Sequence, residues 1–268
     1  MAGMDVIEVT DPGDPRLDDF RDLTDADVRP DRRGVVIAEG ANVVERLAGS
    51  AYPMRAVIGV RSRIDALGPA LASIDGPAYV VDKWLLSEVV GFRVTRGVLA
   101  AATRPAPPDL DALLDGARRI AVLEALNDFE NLGALFRNAA AFGVDAVLLD
   151  PRCADPLYRR SVRVSMGHVL RVPFATFENW PAGLGPLRDR GFRLAALTPR
   201  ADSVPLRSLR GHGLERVALM LGSEGPGLSE EALAVADLAV RIPMADGVDS
   251  LNVATAAAVA FYELTEAE

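Results

Sequence analysis

The stretch Val217-Ala218-Leu219-Met220-Leu221-Gly222-Ser223-Glu224-Gly225-Pro226-Gly227-Leu228 decides how the chain is read. An unbroken apolar run of strand length ends in a glycine-rich turn holding one carboxylate, Glu224. Such a run suits a strand buried on both faces, as in a parallel sheet covered by helices. Ser229 follows as an N-cap for a short helix through Ala234, its hydroxyl taking up an amide of the first turn. A second apolar run, 238–242, is closed by Pro243, which has no amide hydrogen to continue a ladder. After a polar loop, Asp249 or Ser250 is expected to cap a last helix running to about Leu264. Between Leu251 and Phe261 that helix is apolar nearly all round, with Asn252 and Thr255 the polar exceptions, so its own domain or a second subunit must cover most of it. Ala254, Ala256, Ala257, Ala258 and Ala260 let another backbone come close, and polar Ser250 and Asn252 at its start point to a bound ligand.

Working backwards, strand-like runs at 120–125, 144–149, 169–174 and 192–197 alternate with helical segments at 134–142, 157–165 and 182–190. With the two C-terminal strands this is a βα repeat, hence an α/β fold with a mostly parallel sheet. Three prolines in residues 103–108 mark a linker. Ahead of it, a polar helix at 16–28, strands at 34–38, 54–60, 78–81 and 98–102 and helices at 41–47 and 83–90 make a smaller α/β unit. The expected division is 1–102, a linker at 103–117, and 118–268.

Composition excludes several chemistries. One cysteine, Cys153, rules out an internal disulfide framework and a multi-cysteine metal site, and two histidines are too few for a histidine-based one, so no metal is expected. All 29 basic residues except Lys83 are arginines. Lys83 lies in Val-Asp-Lys-Trp, outside any glycine loop, so no P-loop is present. No apolar run has the length of a membrane span, the acidic N-terminus has no signal-peptide core, and a cytoplasmic protein is expected. The net charge of −9 argues mildly against non-specific nucleic-acid binding but leaves local patches open. One such patch is 152–171, where five arginines, among them Arg159, Arg160 and Arg163, stand with His168 against a single acid, Asp155. A phosphate-contacting surface and a solvated helix face both fit it.

Two further features carry chemistry only in combination. Asn131 and Gly133 sit in a polar turn after a strand, and Arg137 lies one turn into the following helix, where the macrodipole disfavours a cation unless an anion offsets it. Glu224 alone is a carboxylate in a common kind of turn. Their order and spacing say more. Asn131-x-Gly133-x-x-x-Arg137, then Leu221-Gly222-Ser223-Glu224-Gly225-x-Gly227-Leu228, then Ile242-Pro243-Met244 through Ser250-Leu251-Asn252-Val253-Ala254 closely resembles the three motifs of the SpoU (TrmH) RNA 2′-O-ribose methyltransferases. Ser165-Met166-Gly167 is similar to this family too, and residues 35–100 resemble the L30e-like RNA substrate-binding domain that many members carry.

The resemblance implies a SPOUT-type fold, a parallel sheet whose C-terminal segment threads a deep trefoil knot, assembled as a homodimer through the knotted domain. It implies S-adenosyl-L-methionine bound at the knot by Gly222, Ile242 and Leu251, with Leu221 and Thr198 beside them, and no metal. It implies Arg137 as the central catalytic residue with Asn131, Glu224, Ser250 and Asn252 around it, acting on rRNA or tRNA; Arg159, Arg160 and Arg163 of the arginine-rich patch are the expected RNA contacts. A non-catalytic RNA-binding relative and a knotted base methyltransferase are the alternatives. Two departures stand out: Asp128 where many relatives have proline, and Asp246 in place of a common glycine.

Overall fold

The structure, a computed structural model, describes residues 4–24, 34–212, 215–248 and 250–265. The chain forms two compact units, Met1–Ala106 with Pro156–Arg171, and Pro107–Asp155 with Val172–Glu268. The segment 156–171, which sequence spacing assigned to the C-terminal domain, therefore belongs to the first unit.

The first unit is built on a five-stranded mixed sheet of β1 (Val6–Glu8), β2 (Val35–Glu39), β3 (Met54–Gly59), β4 (Ala78–Val80) and β5 (Val98–Thr103), in the order β1-β4-β3-β5-β2. The β1–β4 and β4–β3 pairs are parallel, whereas β5 runs antiparallel to both its neighbours. Helices α1 (Ala41–Ala48), α2 (Arg61–Leu71) and α3 (Lys83–Val90) join the strands. Asp82 caps α3 by accepting the Leu85 amide at 2.8 Å, and Gly91 closes it in the left-handed conformation. Helix α2 escaped the sequence reading because Gly68 and Pro69 interrupt its pattern. The polar helix expected at 16–28 is a 3-10 turn over Pro15–Phe20, and residues 25–28 lie outside the described residues. Leu17, Phe20, Ile58, Leu86 and Leu99 are fully buried in this unit's core.

The second unit holds seven parallel strands among the described residues. They are β6 (Arg119–Glu124), β7 (Ala146–Leu149), β8 (Phe174–Thr176), β9 (Arg193–Leu197), β10 (Val204–Pro205), β11 (Val217–Gly222) and β12 (Leu238–Arg241), in the order β10-β12-β9-β11-β6-β7-β8. Strand β11 occupies the middle, paired with β6 from Val217↔Arg119 to Gly222↔Glu124 and with β9 on its other side. Burial of Val217–Leu221 follows from that position, since helices cover both faces of an all-parallel sheet. Two helices frame the site, α5 (Phe129–Ala141) and α9 (Val253–Leu264), which pack on each other. Within this unit α4 (Leu110–Leu114) precedes α5, and α7 (Gly185–Asp189) and α8 (Glu230–Ala234) come between α5 and α9 in the chain. Strands β9 and β11 separate β12 from β6, yet α9, which follows β12, lies against the helix after β6. The connection 242–252 must therefore cross back over the strand ends, the course a knotted fold of the SPOUT kind requires.

Several expectations move. Helix α5 begins at Phe129, not at 134, because Asp128 accepts the Asn131 amide at 2.7 Å and starts the helix earlier. The departure Asp128 is thus an N-cap. Arg137 becomes the ninth residue of a 13-residue helix, so the macrodipole argument for an anion at the helix start no longer applies. The expected strand at 169–174 is a 3-10 turn over His168–Leu170 followed by β8. The last helix is capped by Asn252, whose Oδ1 accepts the amides of Ala254 and Thr255 at 3.1 and 3.2 Å. Ser250 precedes that cap, and Asp249 lies outside the described residues. Val253, Ala254, Ala257, Ala260 and Phe261 are buried, while Val259 and Tyr262 stay exposed within the chain.

Candidate active site

The loops after three adjacent parallel strands, β9, β11 and β12, enclose a cavity of about 430 Å³ at the carboxyl ends of the sheet, where open α/β sheets place their ligands. Leu197, Thr198 and Pro199 contribute from the first loop, 221–225 and Gly227 from the second, Ile242 and Met244 from the third. The run 250–253 and Ala256 complete the wall. All five residues expected to hold a cofactor, Gly222, Ile242, Leu251, Thr198 and Leu221, line it. Its size falls in the range of small-molecule sites, roughly 300–1,000 Å³, and its wall mixes apolar side chains with loop backbone, as a bulky cofactor with one polar end needs.

The glycine loop has this shape because its ends touch. A Cβ built on Gly222 would lie 2.1 Å from the carbonyl carbon of Gly227 and 2.2 Å from the Leu228 nitrogen, so no side chain fits at 222. The Gly227 amide donates to the Ser223 carbonyl at 3.0 Å, closing a tight ring that carries Glu224 at its tip.

At the rim, the three motifs meet through one side chain. Asn252 Nδ2 donates to Asn131 Oδ1 and to Glu224 Oε1, each at 2.7 Å. Because its Oδ1 is committed to capping α9, the amide orientation is fixed and both of its N–H groups are used. Asn252 therefore joins and orients, while Glu224, exposed and accepting one hydrogen bond from Asn252, keeps lone pairs for a ligand. Asn138, which the sequence reading passed over, donates to the Ala254 carbonyl at 2.8 Å and ties the first turn of α9 to α5. Ser250 lines the cavity and is exposed. Arg137 is not brought into this cluster: it does not line the cavity, it is exposed, and it has no hydrogen-bond or ion-pair partner among the described residues. Asn131 and Asn138, seven residues apart, share the face of α5 toward α9, and Arg137 is rotated off it.

The three expected RNA-contacting arginines fall on α6 (Arg159–Val164) of the first unit and differ. Arg160 is exposed and Arg163 half-buried. Arg159 is committed elsewhere. Its guanidinium pairs with buried Glu39 at 2.6 Å and stacks 4.3 Å above the Phe92 ring, and its Nε is buried without a hydrogen bond. It is a packing element rather than a free phosphate contact.

A second polar cluster lies beneath the glycine loop, and the sequence reading missed it. Glu124, at the end of β6, and Asp150, just past β7, are 2% and 0% exposed. Arg152 Nη2 donates to Glu124 Oε1 and its Nε to Asp150 Oδ2, both at 2.7 Å. Burial alone would raise the Asp150 pKa, but hydrogen bonds from the Ala125 amide, Arg152 and Cys153 outweigh it and hold the carboxyl below its ordinary value. Arg152 is raised in turn by Asp150 and Glu124. Burial pushes the Cys153 thiol up to about 12, so it is a protonated packing group. The only hint in the sequence was a carboxylate inside the apolar run 120–126. No group of three or more His, Cys, Asp or Glu among the described residues could hold a metal.

A parallel α/β unit with a cofactor-sized cavity at the loops after β9, β11 and β12, rimmed by Asn131, Glu224 and Asn252, is the setting for a small-molecule-binding α/β enzyme. The model of the SpoU rRNA Methylase family matches residues 118–262. An uncharacterized tRNA/rRNA methyltransferase of Mycobacterium tuberculosis is 51% identical over 267 residues, covering 98% of this chain and 93% of that one. An S-adenosylmethionine-bound rRNA methyltransferase from Sinorhizobium meliloti superposes with a TM-score of 0.80 at 26% identity, over 96% of this chain and 97% of that one. A solved RNA 2′-O ribose methyltransferase gives 0.74 at 25% identity, over 96% and 97%. The chain belongs to the SpoU family of S-adenosylmethionine-dependent RNA methyltransferases.

Proposed function

We propose that the protein methylates a ribose 2′-hydroxyl of structured RNA, rRNA in the first place and tRNA as the second candidate. The observation that carries this reading is the single amide of Asn252 joining Asn131 and Glu224 at the mouth of the cavity. The solved relative that is an RNA 2′-O ribose methyltransferase supports it. When bound, S-adenosylmethionine supplies a methyl group made transferable by its sulfonium charge. The residues lining the cavity would hold it: backbone at Gly222, Ile242 and Leu251, with Leu221 and Thr198 along the wall.

The task left to the protein is to present a weak nucleophile. A neutral 2′-hydroxyl must be aligned and its proton loss assisted, and alignment is worth roughly 7–11 kcal/mol in good intramolecular models. Glu224, with lone pairs to spare, receives a hydrogen bond from the ribose or orients it. Ser250 adds a hydroxyl to the same rim. Arg137, exposed and unpaired among the described residues, is free to hold a phosphate of the RNA and so help align the ribose. It does so as a cation, because guanidinium stays protonated in proteins. The first unit, with Arg160 and Arg163, serves as the substrate-binding domain. The exposed Val259 and Tyr262 of α9 support assembly as a homodimer through the second unit.

Methyl transfer from labelled S-adenosylmethionine to bulk rRNA and tRNA, run separately and followed by nuclease digestion, tests the reading. Label in a 2′-O-methylnucleoside is the expected result. Label on a base overturns the ribose assignment, and cofactor binding without transfer to either RNA overturns both substrate classes.

A further inference from the structure

We infer that Glu124 is a positioning residue that fastens both ends of the glycine loop and so sets the affinity of the cofactor cavity. This rests on the reading of that cavity as the S-adenosylmethionine site.

The near end of the loop is Gly222, whose backbone pairs with that of Glu124 at the last register position between β11 and β6. The far end is Ser229, whose amide donates to Glu124 Oε2 at 2.9 Å. One residue therefore grips position 222 through its main chain and position 229 through its side chain. Between these grips lie Gly222, Ser223, Glu224, Gly225 and Gly227, all on the cavity wall. Glu124 does not line the cavity, and neither do Asp150, Arg152 or Trp180, so their influence on a ligand passes through the loop.

The carboxylate is itself held rigidly. Its Oε1 accepts from Arg152 and from the Trp180 indole N–H, both at 2.7 Å. Asp150 fixes Arg152 and, through Oδ1, accepts the amide of Ala125 at 2.9 Å. Ala125, the next residue after Glu124, has φ of 54°, a left-handed conformation uncommon for a side chain with a Cβ. That hydrogen bond holds the turn in which the strand ends and so aims the Glu124 side chain. A buried carboxylate is tolerated where its lone pairs are used, and here three donors use them. Glutamine has the same shape but cannot repeat the pattern: with its oxygen toward Arg152 and Trp180, its NH₂ meets the Ser229 N–H donor to donor.

The test titrates S-adenosylhomocysteine by calorimetry into wild type, Glu124→Gln, Ser229→Pro, Ser229→Ala and Ile242→Trp, and follows amide hydrogen exchange over 222–229 without ligand. Ser229 has φ of −65°, which proline adopts, so Ser229→Pro removes the gripped amide while Ser229→Ala removes only the hydroxyl that caps α8. Glu124→Gln and Ser229→Pro are expected to weaken binding about tenfold or more and to speed exchange across the loop, with Ser229→Ala within about threefold of wild type. Normal binding by folded Glu124→Gln overturns the proposal. Should that variant not fold, Ser229→Pro binding as well as Ser229→Ala does the same. Ile242→Trp, which fills the cavity, separates the two readings. Its normal binding overturns the cavity assignment and the proposal together. Its loss of binding alongside normal Glu124→Gln overturns the proposal alone.

Discussion

Glu124 holds the two ends of the glycine loop from strand β6, Glu224 stands at the loop's tip, and the two differ in almost everything but their carboxylate. Glu124 is buried and receives three hydrogen bonds, from Arg152, Trp180 and Ser229. Glu224 is exposed and receives one, from Asn252. A buried carboxylate with both oxygens engaged inside the protein belongs to the architecture, whereas an exposed one with an oxygen left at a cavity mouth is open to a ligand. The difference teaches that the residue type at a motif position does not set its role; the number of donors already spent on it does.

This contrast can be broken in graded ways, the largest effect first. Arg137→Lys is expected to lower methyl transfer by about 100-fold, the scale on which a lost substrate grip misaligns the reacting groups. Cofactor affinity should be unchanged, since Arg137 does not line the cavity; wild-type turnover would remove the planar guanidinium from the mechanism. Glu224→Gln should cost roughly tenfold in turnover while thermal stability stays within about 0.5 kcal/mol, as for exposed substitutions. Glu124→Ala reverses that pattern, because it strands buried donors and an arginine. Unfolding followed by denaturant should show a loss of about 1–3 kcal/mol, the cost of buried donors left without a partner.

Two smaller effects sharpen the buried side of the comparison. The Asp150 carboxyl is held below its unfolded value, so its contribution to stability is complete above the ordinary carboxylate pKa and is lost as pH falls through the lowered one. Denaturant midpoints measured from pH 6 down to pH 3 should therefore fall less steeply in Asp150→Asn than in wild type. Cys153, pushed up to about 12, contributes below its unfolded pKa and loses that contribution as pH rises toward the folded value. Alkylation by iodoacetamide at pH 8 should be slow in the native protein and fast in denaturant; equal rates would contradict its burial.

The parts of this site that were legible in the sequence were those written locally. Strands β11 and β12, the Ser229 cap and the glycine loop follow from apolar runs and turn residues over a dozen positions. The start of α5 was misread because Asn127, Asp128, Asn131 and Gly133 all favour turns, and only the geometry of the Asp128 side chain decides that one of them caps a helix. Asn252 was picked out as polar against an apolar background, but its capping role was assigned to its neighbours. Arg159 looked like Arg160 in a run of like charges, and burial against Glu39 and Phe92 separates them. Glu124, Arg152, Trp180 and Ser229 span more than a hundred positions, so no window of sequence could reveal that they meet.

The excursion of 156–171 into the first unit has a consequence for biosynthesis. A protein is made from its N-terminus, and domains generally fold as they emerge. Here the first unit cannot be finished when residue 106 appears, because the helix bearing Arg159, whose ion pair with Glu39 is buried, is made some fifty residues later, after β6, α5 and β7 of the second unit. The first unit must thus wait on part of the second, and a fragment cut at residue 106 lacks both the helix that packs on β2 and the cation that meets Glu39.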